Sequence, residues 1–286
     1  MTDHRATADL LIVGGLTIDH FTDGTSAPGG TVIHAGSAVA PDDIRQATLT
    51  AAGDEPEAAV GLARLESFGP VIRQPAPSTT TYRHLERDGR RVLVFECGTA
   101  PIGPESLARA PRPRVALVAP IGDELPAATV DRLRAELAPE LTVLLIQGWL
   151  RRLVAGQEVG ALPLDEVSHD LWRVFSEADA VVLSTEDLAG PATDPFLEAA
   201  DLRRRLGPRP ILVLTLGTEG YVLDDPALDR VLASVPRTVV TGVPTVGAGD
   251  TLAAALAVHL GRGEHASTAS RAESERVISV FESRRR

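Results

Sequence analysis

Pro244-Thr245-Val246-Gly247-Ala248-Gly249-Asp250-Thr251 runs straight into the apolar stretch Leu252-Ala253-Ala254-Ala255-Leu256-Ala257-Val258. Two glycines around an alanine let the backbone turn tightly and aim successive N–H groups at one point. That point is also the positive end of the following helix dipole, so Gly247, Ala248 and Gly249 form a seat for an anion. Asp250 does not suit anion binding alone, because its charge repels the ligand; beside a transferring phosphoryl group it reads as a general base. The plainer reading of the same residues is a Gly loop followed by an Asp-capped helix, and short Gly-rich matches are non-specific. The rest of the chain has to decide between them.

At 286 residues with 44% hydrophobic content, the chain is long enough to bury a large core as one domain. A net charge of -11 argues against nucleic acid or an anionic membrane as partner, since both call for a basic face, and points to small metabolites. All 28 basic residues are arginine. That removes Schiff-base chemistry, the P-loop lysine and the protein-kinase strand lysine, and leaves a phosphotransferase only backbone amides, Mg²⁺ and arginine. The lone Cys97 forbids an internal disulfide and fits a reducing cytoplasm. The opening apolar run Leu10 to Val13 is too brief for a signal segment or a membrane span. The seven histidines show no HxxxH spacing. His259, inside the apolar helix, reads as a capped core residue, and Arg284-Arg285-Arg286 as a solvated tail.

Strand and helix patterns alternate along the chain, predicting a doubly wound α/β fold with a mostly parallel sheet flanked by helices. The strands read as Leu10–Val13, Val115–Ala119, Thr142–Ile146, Ala180–Leu183 and Ile211–Leu214, continuous apolar runs of the kind buried on both faces. Helical spacing marks Pro56–Phe68, Pro126–Leu137, Ser168–Ala178 and Pro195–Leu206, the last with Asp194 at the cap and Pro195 at its first position. Glu264 to Phe281 also carries a helical pattern with a polar face. Two segments break the rhythm. Thr79 to Phe95 alternates as a hairpin around Asp88-Gly89, and Thr17 to Thr31 is rich in turns. They read either as an edge hairpin of the main sheet or as a separate small lid that excludes water.

Three further stretches share a pattern with the first. They are Leu11-Ile12-Val13-Gly14-Gly15-Leu16-Thr17-Ile18-Asp19-His20, Pro28-Gly29-Gly30, and Ile211-Leu212-Val213-Leu214-Thr215-Leu216-Gly217-Thr218-Glu219-Gly220. In order and separation these, with Gly247 to Asp250, resemble the motifs of the ribokinase family, the PfkB carbohydrate kinases. The resemblance implies one ribokinase-like domain over residues 1–286, with a small β lid formed by about 17–31 and 79–97. It implies an ATP- and Mg²⁺-dependent kinase that phosphorylates a hydroxyl of a small polyol or sugar, with Asp250 as base and the amides of Gly247, Ala248 and Gly249 as anion hole. Asp19, Gly29 and Gly30 would contact the substrate, and Thr215, Gly217 and Gly220 would line the nucleotide. A homodimer through the lid also follows from the resemblance.

Departures from the pattern matter as well. Ser184-Thr185-Glu186-Asp187 stands where the family has Asn-x-x-Glu, so Ser184 keeps a hydroxyl beside the nucleotide and Asp187 keeps a metal-facing charge at shorter reach. His34 replaces an asparagine that touches substrate. Pro244 occupies the place of an aspartate linked to a monovalent cation. Leu145-Ile146-Gln147-Gly148-Trp149-Leu150-Arg151 resembles the Gln-Gly-aromatic-x-Arg strand end of a branch that includes inositol kinases, with Gln147 facing the substrate crevice. The alternative is a strand-ending turn with Trp149 packed in the core. With ten aromatic residues in all, the chain has few rings to stack a nucleobase, which favours a polyol over a nucleoside. A nucleoside kinase and a noncatalytic sugar- or nucleotide-binding relative remain the alternatives. A Rossmann dehydrogenase, suggested only by Gly14-Gly15, fails because Gly-x-Gly-x-x-Gly is absent there.

Overall fold

The computed structural model describes residues 5–190, 194–228, 231–234 and 246–268. Pro244 and Thr245, the part of Glu264 to Phe281 beyond 268, and the arginine tail lie outside the described residues. Among them the main sheet runs, in spatial order, β15 (Leu232–Ser234), β14 (Tyr221–Asp224), β13 (Ile211–Thr215), β12 (Ala180–Ser184), β9 (Leu141–Leu145), β8 (Arg112–Ala119), β1 (Thr7–Gly14), β4 (Gln46–Ala52) and β5 (Val71–Pro75). Neighbours from β13 to β5 pair in parallel, and β14 and β15 join antiparallel at one edge. The fold is α/β with a mostly parallel sheet, as expected from the alternation.

Side chains that alternate along each strand feed two cores. On β1, Leu11 and Val13 join one cluster and Leu10 and Ile12 the other. The first cluster takes Leu107 of α3 (Pro104–Arg109), Val130 of α4 (Ala127–Leu137), Phe175 of α5 (His169–Ser176) and Leu202 of α6 (Pro195–Leu206). The second takes Ile33 of α1 (Thr31–Val39), Leu65 of α2 (Pro56–Glu66) and Leu256 of α7 (Ala248–Gly261). Both faces of the sheet are therefore covered, which is why the strand sequences read as continuous apolar runs. Helix α6 begins where its caps say: Asp194 accepts from Phe196 N at 2.8 Å and Pro195 follows.

A second sheet, β3 (Ser26–Gly29), β2 (Thr17–His20), β6 (Thr80–Arg87) and β7 (Arg90–Cys97), stands apart from the first. Its hairpin turns at Asp88 (φ 53°) and Gly89 (φ 71°), the paired left-handed conformations of a tight type I′ turn. The turn-rich stretch ends one residue earlier than its reading, because Thr31 opens α1. Likewise Thr142–Ile146 shifts by one: Ile146 begins a 3₁₀ turn, Ile146–Leu150, that bends the chain away from the sheet. A two-residue ribbon, β10 (Arg151–Arg152) and β11 (Gly160–Ala161), follows. Among the described residues no helix is long and apolar enough to cross a membrane.

Candidate active site

A cleft of about 210 Å³ opens between the small sheet and the C-terminal ends of β9, β12 and β13, where parallel α/β sheets hold ligands. The first turn of α7 forms one wall. Gly247 caps that helix at φ 84°, and an added Cβ would lie 2.5 Å from Cγ of His34. A side chain there would meet both backbone strain and the His34 ring, so only glycine lets α1 and α7 approach at this point. Ala248, Gly249 and Asp250 follow within the helix rather than on the loop before it. Their amides belong to the first turn, which has no intrahelical acceptors; the ladder starts with Thr251 N donating to Gly247 O at 2.9 Å.

Asp250 lines the cleft although it is only 8% exposed, and its Oδ1 has no hydrogen-bond partner. Burial raises its pKa, while the nearby His34 and then Arg151 pull it back down. A buried, unpartnered carboxylate oxygen facing a cleft is the arrangement expected of a group that awaits a ligand proton.

Asp19 leaves the opposite wall, on β2. Thr17 Oγ1 donates to its Oδ1 at 3.3 Å. Gly29, on the paired strand β3, is what makes room for it: a Cβ there would lie 2.2 Å from Asp19 Oδ2. Gly29 does not itself line the cleft, whereas Gly30 (φ 91°) and His34 do. Gln147 also lines the cleft while Trp149 is buried, its indole packed against Phe175 and donating to Leu125 O at 2.7 Å. Gln147 thus faces the cleft and Trp149 the core, because the 3₁₀ turn sends these side chains to opposite sides.

Ser184, Asp187, Thr215 and Gly217 line the remaining side. Asp187 Oδ2 accepts from Ser184 N at 2.8 Å and Ser184 Oγ from Glu186 N at 3.2 Å, a reciprocal cap around a single turn. Burial raises the Asp187 pKa, against the bonds from Ser184 and Gln147 and the charge of Arg151. Gly220 stays out of the cleft and closes the Gly217–Glu219 turn at φ 104°. His259 bonds Glu264 at 2.8 Å, away from the site.

Tyr82, His84 and Arg91 line the cleft but were not singled out from the sequence, and Arg151 entered only as the last residue of the Gln-Gly-aromatic-x-Arg stretch. The first three lie on one face of the hairpin, and the period-two alternation of Thr79 to Phe95 carried that signal. Tyr82 donates to Ile121 O at 2.8 Å, and its pKa is pushed up to about 12, chiefly by burial.

No protein-family model matches the sequence, and no curated protein sequence does. Solved structures match over almost the whole chain. A pyrophosphate-dependent kinase in the ribokinase family, complexed with a pyrophosphate analog and myo-inositol, is 16% identical over 93% of this chain and 92% of its own, with a TM-score of 0.72. Arabidopsis thaliana ribokinase, complexed with ribose and ATP, is 17% identical over 94% and 90%, with a TM-score of 0.70. A microbiome-derived acarbose kinase is 21% identical over 94% and 91%, with a TM-score of 0.68. The chain has the ribokinase-like fold.

Proposed function

We propose that the protein is a phosphotransferase that moves the terminal phosphoryl group of ATP to a hydroxyl of a small sugar or polyol, with Asp250 as general base. The observation that carries this reading is the unpartnered, buried Oδ1 of Asp250, in the helix turn whose free amides face the same cleft as Asp19. A fold shared with kinases of sugars and polyols supports it.

Asp19 would hold acceptor hydroxyls and orient one of them toward Asp250. As that oxygen attacks the terminal phosphorus, its proton passes to Asp250 Oδ1, the new P–O bond forms, and the bond to the donor's bridging oxygen breaks. Charge on the moving phosphoryl oxygens is met by the amides of Gly247, Ala248 and Gly249, preorganised donors of a kind worth roughly 3–4 kcal/mol each. Closure by the small sheet as a lid, with Tyr82 tying it to Ile121, would keep water from competing as acceptor.

Among the described residues no three His, Cys, Asp or Glu side chains gather as metal ligands. Mg²⁺ binds through one or two carboxylates and substrate phosphates and keeps several waters. Asp187, with Ser184 beside it, would hold the ion, which when bound supplies charge neutralisation between the donor phosphates. Thr215 and Gly217 would flank the donor. Pyrophosphate is the second donor reading, favoured by the likeness to a pyrophosphate-dependent kinase. Neither a homodimer through the lid nor a cytoplasmic site is needed for the chemistry; both stay part of the proposal.

The test is product release by purified protein given Mg-ATP or Mg-pyrophosphate and a panel of polyols, pentoses, hexoses and nucleosides. Acceptor-dependent release of ADP or orthophosphate is expected, and Asp250→Asn should lower kcat by roughly 10²–10⁴-fold while ligands still bind. Binding without turnover across the panel would replace the kinase with a noncatalytic sugar- or nucleotide-binding relative.

A further inference from the structure

Two arginines in the cleft form no ion pair among the described residues. Arg83 and Arg152, beside the site but on its outer surfaces, pair with Glu96 at 2.8 Å and Glu166 at 2.6 Å. Arg91 on β7 and Arg151 at the start of β10 both line the cleft, yet neither forms an ion pair among the described residues. Arg91 spends one donor, Nε, on His84 Nδ1 at 3.1 Å. Arg151 spends one on Ile121 O at 3.3 Å and lies 5.8 Å from the centroid of the Tyr82 ring. A guanidinium carries five donors, so each retains most of its fork.

The nearby carboxylates act on them only at a distance. Asp19 accepts from Thr17 and Asp187 from Ser184, and although the charge of Arg151 lowers the pKa of both Asp187 and Asp250, neither forms an ion pair with it among the described residues. The two cations are close enough to act on each other: burial lowers the Arg91 pKa and Arg151 lowers it further, against the charges of Asp19 and Glu186. Like charges held together in a partly desolvated cleft are unfavourable until an anion arrives.

His84 adds a third, independent sign. Because its Nδ1 accepts from Arg91, the neutral ring carries its proton on Nε2. That nitrogen is buried and makes no hydrogen bond; Asp19 Oδ1 is 3.3 Å away but off the bonding axis. Phe21 stacks on the same ring at 4.9 Å and fixes its plane. A buried donor of fixed plane is thus left unsatisfied beside Asp19, on a ring whose other nitrogen is held by Arg91.

We propose that Arg91, Arg151 and His84 form a clamp for a phosphate or carboxylate group carried by the acceptor, so that the substrate is an anionic sugar or polyol. The proposal rests on the kinase reading for the word acceptor. Arg151 also acts on Asp250 and Asp187, but Arg91 and His84 ride on the same small sheet as Asp19, while the donor's phosphoryl group has the amides of Gly247 to Gly249, so position favours the acceptor as the source of the anion. Bidentate charge-assisted bonds to such a group are among the stronger polar contacts.

Calorimetry and turnover would compare ribose 5-phosphate and gluconate with ribose and myo-inositol. An anionic ligand should bind at least roughly tenfold tighter than its neutral counterpart, and Arg91→Gln should erase that ratio while Arg91→Lys keeps part of it. Thermal melts of both variants check that they fold. Equal binding of charged and neutral ligands to the parent protein would overturn the clamp, as would an Arg91→Gln defect confined to ATP or pyrophosphate binding. If no acceptor is phosphorylated but the charge preference and its loss in Arg91→Gln are seen by calorimetry, the clamp stands and the kinase reading falls. Transfer to neutral acceptors alone does the reverse.

Discussion

Two missing Cβ atoms shape the site, and they do so differently. Gly29 leaves space for the Asp19 carboxylate, whereas Gly247 leaves space for the His34 ring and also takes a left-handed conformation at φ 84°. Gly249 needs neither: nothing lies within 4 Å of where its Cβ would be. Gly247 and Gly249, which the sequence presents as one loop, therefore have separable tasks. Gly247→Ala should cost about 1–3 kcal/mol in denaturant melts from backbone conformation alone, with a further loss as His34 is displaced, and kcat should fall with it. Gly249→Ala sits in the first turn of a helix, where alanine is the better residue by about 0.5–1 kcal/mol, so its melt should be unchanged or higher. Equal destabilisation by both variants would mean that crowding and backbone conformation are not what fixes Gly247.

At the scale of elements, the small sheet meets the main body through Ile18, which joins the second core, and through Tyr82. Tyr82 packs with Phe95 and Ile121 in a cluster separate from the two main cores, and its hydroxyl reaches Ile121 O. Tyr82→Phe should lower global stability by only about 0.5–1.5 kcal/mol, since Ile121 O still accepts from Arg151. If this bond holds the lid closed, KM for the acceptor should rise more than kcat falls, a split that steady-state kinetics would show; an unchanged KM would remove the bond from the closure. The elements also differ in how far they could be read. Helix α6 was legible to the residue because Asp194 and Pro195 write its start, and the hairpin because Asp88-Gly89 dictates its turn. Helix α1 begins after Gly30, which offers no side-chain cap, and so no start signal marked it. Strand β4, Gln46-Ala47-Thr48-Leu49-Thr50-Ala51-Ala52, is buried throughout, yet it lacks an apolar run. Its threonines earn burial from neighbours no local pattern shows, such as Leu16 N donating to Thr50 Oγ1 at 3.1 Å. In the candidate site, Gly247 to Asp250 were legible because adjacent residues form the turn; His84 and Arg91 share one hairpin face, and only the fold brings Arg151 to them.

For the whole molecule, the balance of buried acids sets how stability follows pH. Asp250, Asp187 and Glu124 all have pKa values raised, in each case first by burial. Asp9 and Glu55 are lowered, Asp9 mainly by its bonds from Arg45 and Glu55 by those from Thr79 working against its own burial. The two groups act in opposite windows. An acid raised on folding holds its proton in the native chain where the unfolded chain has lost it, so stability falls as pH climbs from the unfolded value through the raised one. A lowered acid contributes stability above its unfolded value and loses it as pH drops through the lowered one. The candidate base is thus a stability liability at neutral pH, because desolvation outweighs the help of His34 and Arg151. Asp250→Asn, nearly the same in shape but never charged, should melt above the parent protein near pH ~8 and converge with it near pH ~4, where Asp250 is protonated in the fold. Differential scanning calorimetry across that range decides the matter. An asparagine variant that melts lower at pH ~8 would show that the charge of Asp250 is balanced by His34 and Arg151 after all, and that the residue is held as a structural ion pair instead of kept poised as a base.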